Sequence, residues 1–324
     1  MHIITGGAGF LGSALLWQLN SLGIDDILIV DNLGKSDKWR NLVKSRYQDY
    51  MHRDKFLAAI SSSGLPFRID SITHLGACSS TTETDSDFLM ENNFHYSREV
   101  CRFALERGAR FINASSAATY GAGEHGFGDC EAGIARLRPL NMYGYSKQLF
   151  DLWLLRENLL TEAASLKFFN VYGPNEYHKG SMASVASKLH SEIGDTGQAT
   201  LFASNTKEIG DGEQKRDFVY VKDCARLMAW LLTDGNHVNG IRNVGSGMAR
   251  TFNAVARAMF AAMEKPARIR YRPMPAQIAA NYQNYTCADM GWLKSSGYPF
   301  QFTELEDGIC DYALNYLAKP DRYL

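Results

Sequence analysis

Thr5-Gly6-Gly7-Ala8-Gly9-Phe10-Leu11-Gly12-Ser13 decides the fold. It follows a short β-branched run at 2–5 and opens a stretch with Leu11, Leu15, Leu16 and Leu19 on one helical side. Strand, glycine turn, helix is the setting that gives a dinucleotide fingerprint its physical meaning. Missing Cβ atoms let backbone N–H groups and the helix N-terminus approach a pyrophosphate, and Gly12 lets the helix pack on the strand. Gly6, Gly9, Phe10, Leu11 and Gly12 are therefore candidate coenzyme contacts; the bland alternative is a plain tight turn. The predicted class is α/β, a Rossmann-type doubly wound parallel sheet with a smaller C-terminal α/β lobe.

A second strand, Ile27-Leu28-Ile29-Val30, ends in Asp31-Asn32, about 20 residues after the glycines, where a carboxylate meets an adenosine ribose. Asp31 alone argues for NAD, because it repels a 2′-phosphate. Lys35, Lys38, Arg40 and the later Arg53 argue for NADP, because they neutralise one. These residues leave the choice open. A third strand at 71–75 runs into Leu75, Gly76, Ala77, Cys78 and Ser79, small residues that leave room for a ribose and nicotinamide. A helix is expected over 88–107; either of its Asn92 and Asn93 could bond backbone or the coenzyme, though most helix asparagines do neither, and Asn92 is taken as a further coenzyme contact. Residues 41–70 show no clear pattern.

Arg110-Phe111-Ile112-Asn113-Ala114-Ser115-Ser116 brings hydroxyls to the carboxyl edge of the sheet. Ser116 is a candidate partner for a substrate hydroxyl, or else a serine satisfying local backbone. Tyr143 and Lys147 then lie one turn apart on a helix expected to run to about 160. An ammonium there is expected to draw the phenol down towards neutrality, making it a base for a sugar hydroxyl. A Tyr-x-x-x-Lys spacing is common by chance; the nucleotide turn and Ser116 give it weight.

The 324 residues, 45% hydrophobic and 21% charged, suit one large domain and a smaller lobe. A net charge of −1 gives no reason to expect nucleic-acid or membrane partners. No apolar run approaches a membrane span, and the N-terminus enters a strand with no leader pattern. Six cysteines without a C-x-x-C suggest neither zinc nor a redox pair and fit a cytoplasmic setting. Helices are expected at 222–233, 251–263 and 304–317, with strands at 241–244 and 268–272.

Together T-G-G-A-G-F-L-G at 5–12, A-S-S-A-A-T-Y-G at 114–121 and Y-G-Y-S-K at 143–147 resemble the extended short-chain dehydrogenase/reductases, specifically their nucleotide-sugar epimerases and dehydratases. F-F-N-V-Y-G-P at 168–174 and R-D-F-V-Y-V at 216–221 are similar to the same group. G-A-C-S-S-T-T-E at 76–83 and H-K-G-S-M-A-S-V at 178–185 closely resemble the ADP-L-glycero-D-manno-heptose 6-epimerase family. That resemblance implies bound NADP, with NAD as the alternative, and an ADP-heptose substrate used for lipopolysaccharide precursors. It also implies a homo-oligomer, with a pentamer as the candidate assembly. It implies inversion at C6″ by transient oxidation and re-reduction. The centre has no acidic proton, so plain deprotonation cannot invert it.

By the same resemblance, residues 1–170, with returning segments at about 216–245, bind the coenzyme, to which Val171 adds a contact. Residues 171–324 mainly bind the sugar nucleotide, in an interwoven lobe. Tyr143, Lys147 and Ser116 form one proton-handling set. Lys179 is the second base, or otherwise a pyrophosphate ligand. Asn170, Ser181, Lys188, Phe202, Ala203, Ser204, Asn205, Arg216 and Tyr282 are the implied substrate contacts. A 4,6-dehydratase is disfavoured, because Ala117 and Ala118 stand where those enzymes carry Asp and Glu. A UDP-sugar 4-epimerase and a non-catalytic dinucleotide-binding sensor are the remaining alternatives. Loops 121–138 and 205–214 have no assigned role.

Overall fold

The computed structural model describes residues 1–62, 64–279 and 282–324. A seven-stranded parallel sheet forms its centre. The strands are β1 (His2–Thr5), β2 (Ile27–Asp31), β3 (Asp49–His52), β4 (Ser71–His74), β5 (Arg110–Ser116), β6 (Ala163–Phe168) and, after an excursion, β10 (Gly240–Val244). Their spatial order is β10-β6-β5-β4-β1-β2-β3. β1 pairs with β2 on one side and β4 on the other, so the winding reverses there. A crevice opens at such a reversal, beyond the carboxyl ends of the strands.

Helices cover both faces of the inner strands, which are buried throughout: β2 reads as the apolar run Ile27–Val30, while Thr5, Ser71, Thr73, His74, Asn113 and Lys167 are buried polar residues on the others. Ile3 and Ile4 on β1 point to opposite sides, one into each of two cores. The helix Phe10–Ser21 inserts Leu15, Leu16 and Leu19 against Leu227, Met228 and Leu231 of the helix Val221–Leu232. Each such buried leucine contributes about 1.5–3 kcal/mol. β3 lies at the edge and is followed by the helix Arg53–Ile60; both fall in the stretch 41–70.

The smaller strands are β7 (Asn170–Tyr172), β8 (Ala199–Phe202), β9 (Lys215–Tyr220), β11 (Ala249–Thr251) and β12 (Ile269–Arg272). β9 is flanked by β7, parallel, and β11, antiparallel, while β8 pairs with β12. Of the returning stretch 216–245, the helix Val221–Leu232 and β10 therefore lie on the large sheet, but β9 lies in a small one. The small sheets share a core of Phe218, Tyr220, Leu189, Ile193, Phe260 and Ile309 that also reaches Phe10 and Ala14 of the first helix. The two parts thus meet beside the glycine turn.

The expected late elements appear as Val221–Leu232, Gly240–Val244, Phe252–Ala262, Ile269–Arg272 and Leu305–Tyr312, the last continuing in a wide turn over Ala313–Leu317. The helix expected over 88–107 is present but uneven: Ser86–Leu89 and Tyr96–Glu106 flank a wide turn at Met90–His95. Among the described residues no helix is long and apolar enough to cross a membrane.

Candidate active site

The glycine turn is built for close approach. Gly6 sits at φ +66°, and a Cβ there would meet the backbone of Gly76 at 2.6 Å. A Cβ on Gly12 would collide with the Gly6 carbonyl oxygen. The helix then starts at Gly9 without a side-chain cap, which leaves first-turn N–H groups for a ligand.

These residues open onto a cavity of about 550 Å³. Gly6, Gly9, Phe10, Leu11, Gly12, Asp31 and Lys38 line one part of it. Leu75, Gly76, Ala77, Cys78 and Ser79 line another, with Ser116, Tyr143, Lys147, Val171, His178 and Lys179. A second cavity, about 190 Å³, shares Gly6, Asp31 and Cys78 and adds Asn32, Arg53, Asn92 and Tyr96. The Tyr96 hydroxyl is buried there without a partner. An orphaned donor, a glycine turn and lysine and arginine side chains fit a dinucleotide.

Asp31 is already engaged. One carboxylate oxygen accepts from Ala8 N at 2.9 Å, and the other from Lys38 Nζ at 2.7 Å and Asn32 N at 2.6 Å. It therefore holds the turn and Lys38 together. Arg53 bonds the Asn92 side chain, which ties the basic residue to the wall of the smaller cavity.

The helix Met142–Arg156 starts at Asn141, whose Oδ1 accepts from Gly144 N at 2.8 Å. Its first turn is pinned by Asn93, the second of the two helix asparagines singled out in the sequence. Asn93, in the wide turn, accepts from Cys78 N and donates to Cys78 O, each at 2.9 Å, and donates to Ser146 Oγ at 3.0 Å. One side chain thus fixes the small-residue loop against the tyrosine helix.

The expectation that Lys147 draws the Tyr143 phenol down is corrected here. Burial pushes the phenol up, a hydrogen bond from Ser116 partly offsets this, and Cys78 adds to the rise. Lys147 is 3% exposed, and burial pushes its ammonium down to about 8, with Asp151 opposing. Desolvation outweighs the expected charge attraction.

Asp151, one turn below Lys147, anchors a polar network inside the sheet. It accepts from Ser115 Oγ, Ser165 Oγ and Lys167 Nζ at 2.7, 2.7 and 2.6 Å. Lys167 also donates to Thr119 Oγ1 at 2.6 Å.

The chain matches the NAD dependent epimerase/dehydratase family over residues 2–245. It belongs to that family. The ADP-L-glycero-D-manno-heptose-6-epimerase of Nitratidesulfovibrio vulgaris (strain Hildenborough) is 56% identical over 324 residues, covering 100% of both chains. The chain also shares its fold with a Helicobacter pylori ADP-L-glycero-D-manno-heptose-6-epimerase, with a TM-score of 0.79 at 23% identity over 98% of this chain and 96% of that one. A Thermus thermophilus UDP-glucose 4-epimerase solved with NAD has a TM-score of 0.76 at 23% identity, covering 97% and 98%. The chain is an enzyme of the epimerase type and uses a nicotinamide dinucleotide.

The implied substrate contacts are not gathered in this epimerase's main cavity. Asn170, Ser181, Lys188, Phe202, Ala203, Ser204, Asn205, Arg216 and Tyr282 are absent from its lining. Asn170 is exposed at the start of β7. Lys188 donates to Ser181 O at 2.6 Å and lines an outer groove. Ser204 N bonds Asp211, and Asn205 Nδ2 reaches Ala279 O at 3.4 Å, so these two tie down the loop 205–214. Arg216, 6% exposed, stacks 4.8 Å from the Tyr282 ring centroid, with Phe252 on another side at 5.9 Å. Among the described residues no carboxylate pairs with its guanidinium, which suits an anion.

Loop 121–138 gains a role. Phe127 packs on Tyr120, Phe169 and Tyr285, and the Asn243 side chain on β10 donates to both Phe127 O and Asp289 O. The loop joins the large sheet to the late segment 283–292.

Proposed function

We propose that the enzyme inverts C6″ of ADP-D-glycero-D-manno-heptose to give the L-glycero epimer, in lipopolysaccharide precursor synthesis. The observation that carries this is one cavity that joins the coenzyme turn to Ser116, Tyr143 and Lys147 and to a second lysine, Lys179, from a separate element. The full-length relative supports the choice of substrate.

The carbinol carbon has no acidic proton, so its hydroxyl proton must leave as the C–H bond breaks. The bound nicotinamide coenzyme supplies a hydride acceptor and donor. Tyr143 exchanges the hydroxyl proton, Ser116 orients that oxygen, and Lys147 supplies positive charge beside the phenol. Turning the oxidised side chain about its bond to the ring presents the other face, and Lys179 handles the proton there. Burial holds the Lys179 ammonium below its ordinary value, Glu176 opposes this, and Lys188 adds to the depression. A second role for Lys179 has its own support: the ammonium lies 5.2 Å from the Phe10 ring centroid, at the pyrophosphate turn.

Lys179→Ala is expected to leave coenzyme bound and to lower turnover by about 10²-fold or more. A rise in KM with kcat kept would make Lys179 a diphosphate ligand instead. Arg216, Tyr282, Ser181, Lys188, Asn170 and the run 202–205 are assigned to the sugar nucleotide, with Arg216 meeting the diphosphate.

NADP is the assigned coenzyme. Lys38 and Arg53 stand at the adenosine end, and Asp31 is committed to Ala8 N and Lys38, which makes it a poor ribose acceptor. A homo-oligomer, with a pentamer as the candidate assembly, and a cytoplasmic setting complete the reading; the six cysteines are unpaired.

The test is turnover of ADP-heptose deuterated at C6″, followed by NMR. Inversion with the deuterium kept at C6″ is expected. Wash-out into solvent rules out hydride return, and comparable turnover of UDP-galactose overturns the substrate.

A further inference from the structure

Lys179 lines the main cavity from the turn Tyr177–Met182, and one buried acid holds that turn in place. Glu176, fully buried, precedes it, and its backbone oxygen accepts from Lys179 N at 3.0 Å. Its Oε1 accepts from Gly173 N at 3.3 Å, Ser184 Oγ at 2.7 Å and Tyr312 Oη at 3.1 Å, and its Oε2 accepts from Ser184 N. A backbone N–H can only donate, and one meets each oxygen, so the group is seated as a carboxylate. Gly173 and Ser184 flank the turn, while Tyr312, also fully buried, belongs to the helix Leu305–Tyr312 and the core of the smaller lobe. One side chain therefore ties both ends of the turn to that core.

A charge so deep is costly, and its donors are what keep it there. It also has an electrostatic consequence. Glu176 has helical backbone angles, φ −88° and ψ 0°, and stands three residues before Lys179 in a helix of three residues per turn, a spacing that sets side chains over one another. Burial lowers the Lys179 ammonium, Glu176 opposes this, and Lys188 of the helix Val185–Thr196 adds to the depression. The other charged or titratable groups nearby are quieter. Burial first, with Lys38 and Lys179, pushes the His178 imidazole down to about 4, so it is neutral near pH 7. Lys38, on the facing wall, is paired with Asp31. Burial pushes up the Tyr177 and Tyr312 phenols beside Glu176, so neither carries charge. Tyr143 and Lys147 line the same cavity from the helix Met142–Arg156.

We propose that Glu176 is a positioning residue for the second proton-handling group: its carboxylate fixes the turn that presents Lys179 and supplies the negative charge that acts on it. This rests on the reading of Lys179 above. A lysine that must release and recover a proton within one turnover needs its two protonation states close in energy. Burial alone tips it towards the amine, and Glu176 tips it back.

The experiment reads Lys179 itself. Competitive labelling with acetic anhydride across pH, followed by peptide mass spectrometry, gives the midpoint of its ammonium in enzyme that carries its coenzyme. Wild type, Glu176→Gln and Glu176→Asp are compared, with thermal melting as the check on folding. In Glu176→Gln the midpoint is expected at lower pH than in wild type, and the limb of the kcat profile that Lys179 governs is expected to move with it. Its kcat is expected to fall about tenfold or more, with KM within about threefold of wild type. In Glu176→Asp, which keeps the charge, the midpoint is expected nearer to wild type even where melting falls. A purely structural acid would lower melting in both variants and move neither midpoint. An unmoved midpoint in a folded Glu176→Gln overturns the inference and leaves the reading of Lys179 intact; equal shifts in the two variants likewise overturn it. A midpoint that moves while the kcat profile stays overturns the reading of Lys179 and the inference with it. If Glu176→Gln fails to fold, Glu176→Met with Tyr312→Phe removes acceptor and donor together and is read in the same way.

Discussion

Tyr143→Phe is expected to slow epimerisation by about 10²–10⁴-fold while leaving the fold and the coenzyme in place. The substitution removes one oxygen and keeps the ring, so the wall of the cavity survives. What is lost is the group proposed to exchange the substrate proton. Burial pushes this phenol up, and Ser116 offsets only part of the rise. On the proposed mechanism the base form would depend on positive charge in the loaded site, to which Lys147 and the oxidised coenzyme would contribute. Ser116→Ala should cost less, because it removes a polarising contact and keeps the phenol. The measurement is C6″ configuration by NMR over a time course, with bound nucleotide assayed in parallel. Undiminished inversion by a Tyr143→Phe enzyme that still holds coenzyme would take the phenol out of the mechanism.

The parts of this site legible in the sequence are those whose partners are near in the chain. Gly6 to Gly12 and Tyr143 to Lys147 each fit within two turns, so spacing alone suggests their geometry. β2 was legible because burial on both faces leaves an apolar run, and β1, β4 and β5 because each runs into a glycine or serine turn; β6 was not, since Ser165 and Lys167 break its pattern. β3 was not: Asp49-Tyr50-Met51-His52 is a polar edge strand, held by pairing with β2. The direction of the Tyr143 shift was misread because spacing reveals the neighbouring lysine and hides the desolvation. Asn93 reads as any helix asparagine until Cys78, 15 residues back, and Ser146, 53 residues on, are seen to meet it. Lys167 stands on β6 among apolar residues, and only the fold shows that it is fully buried against Asp151.

That inward lysine sets the largest stability effect. Asp151→Ala is expected to cost about 3–5 kcal/mol, because it removes the carboxylate partner of the fully buried Lys167 and leaves the Thr119 hydroxyl and the Tyr120 ring beside it. Against a total of about 5–15 kcal/mol for a domain, this is a large share. Urea unfolding checks it. The double variant Asp151→Leu with Lys167→Met should recover most of the loss, since it removes both buried charges together. No recovery would mean that Ser115 and Ser165, left without their acceptor, carry the cost. The same carboxylate acts on Lys147. Its folded value, about 8, lies below the ordinary 10.5, so between those values the unfolded chain binds more protons. Its contribution to stability therefore rises with pH across that window. Asp151 opposes the depression, so its removal should widen the window downward, and an Asp151→Asn protein should gain more stability between pH 7 and 9 than wild type does. A pH response identical to wild type would show that Asp151 holds the sheet together without reaching Lys147.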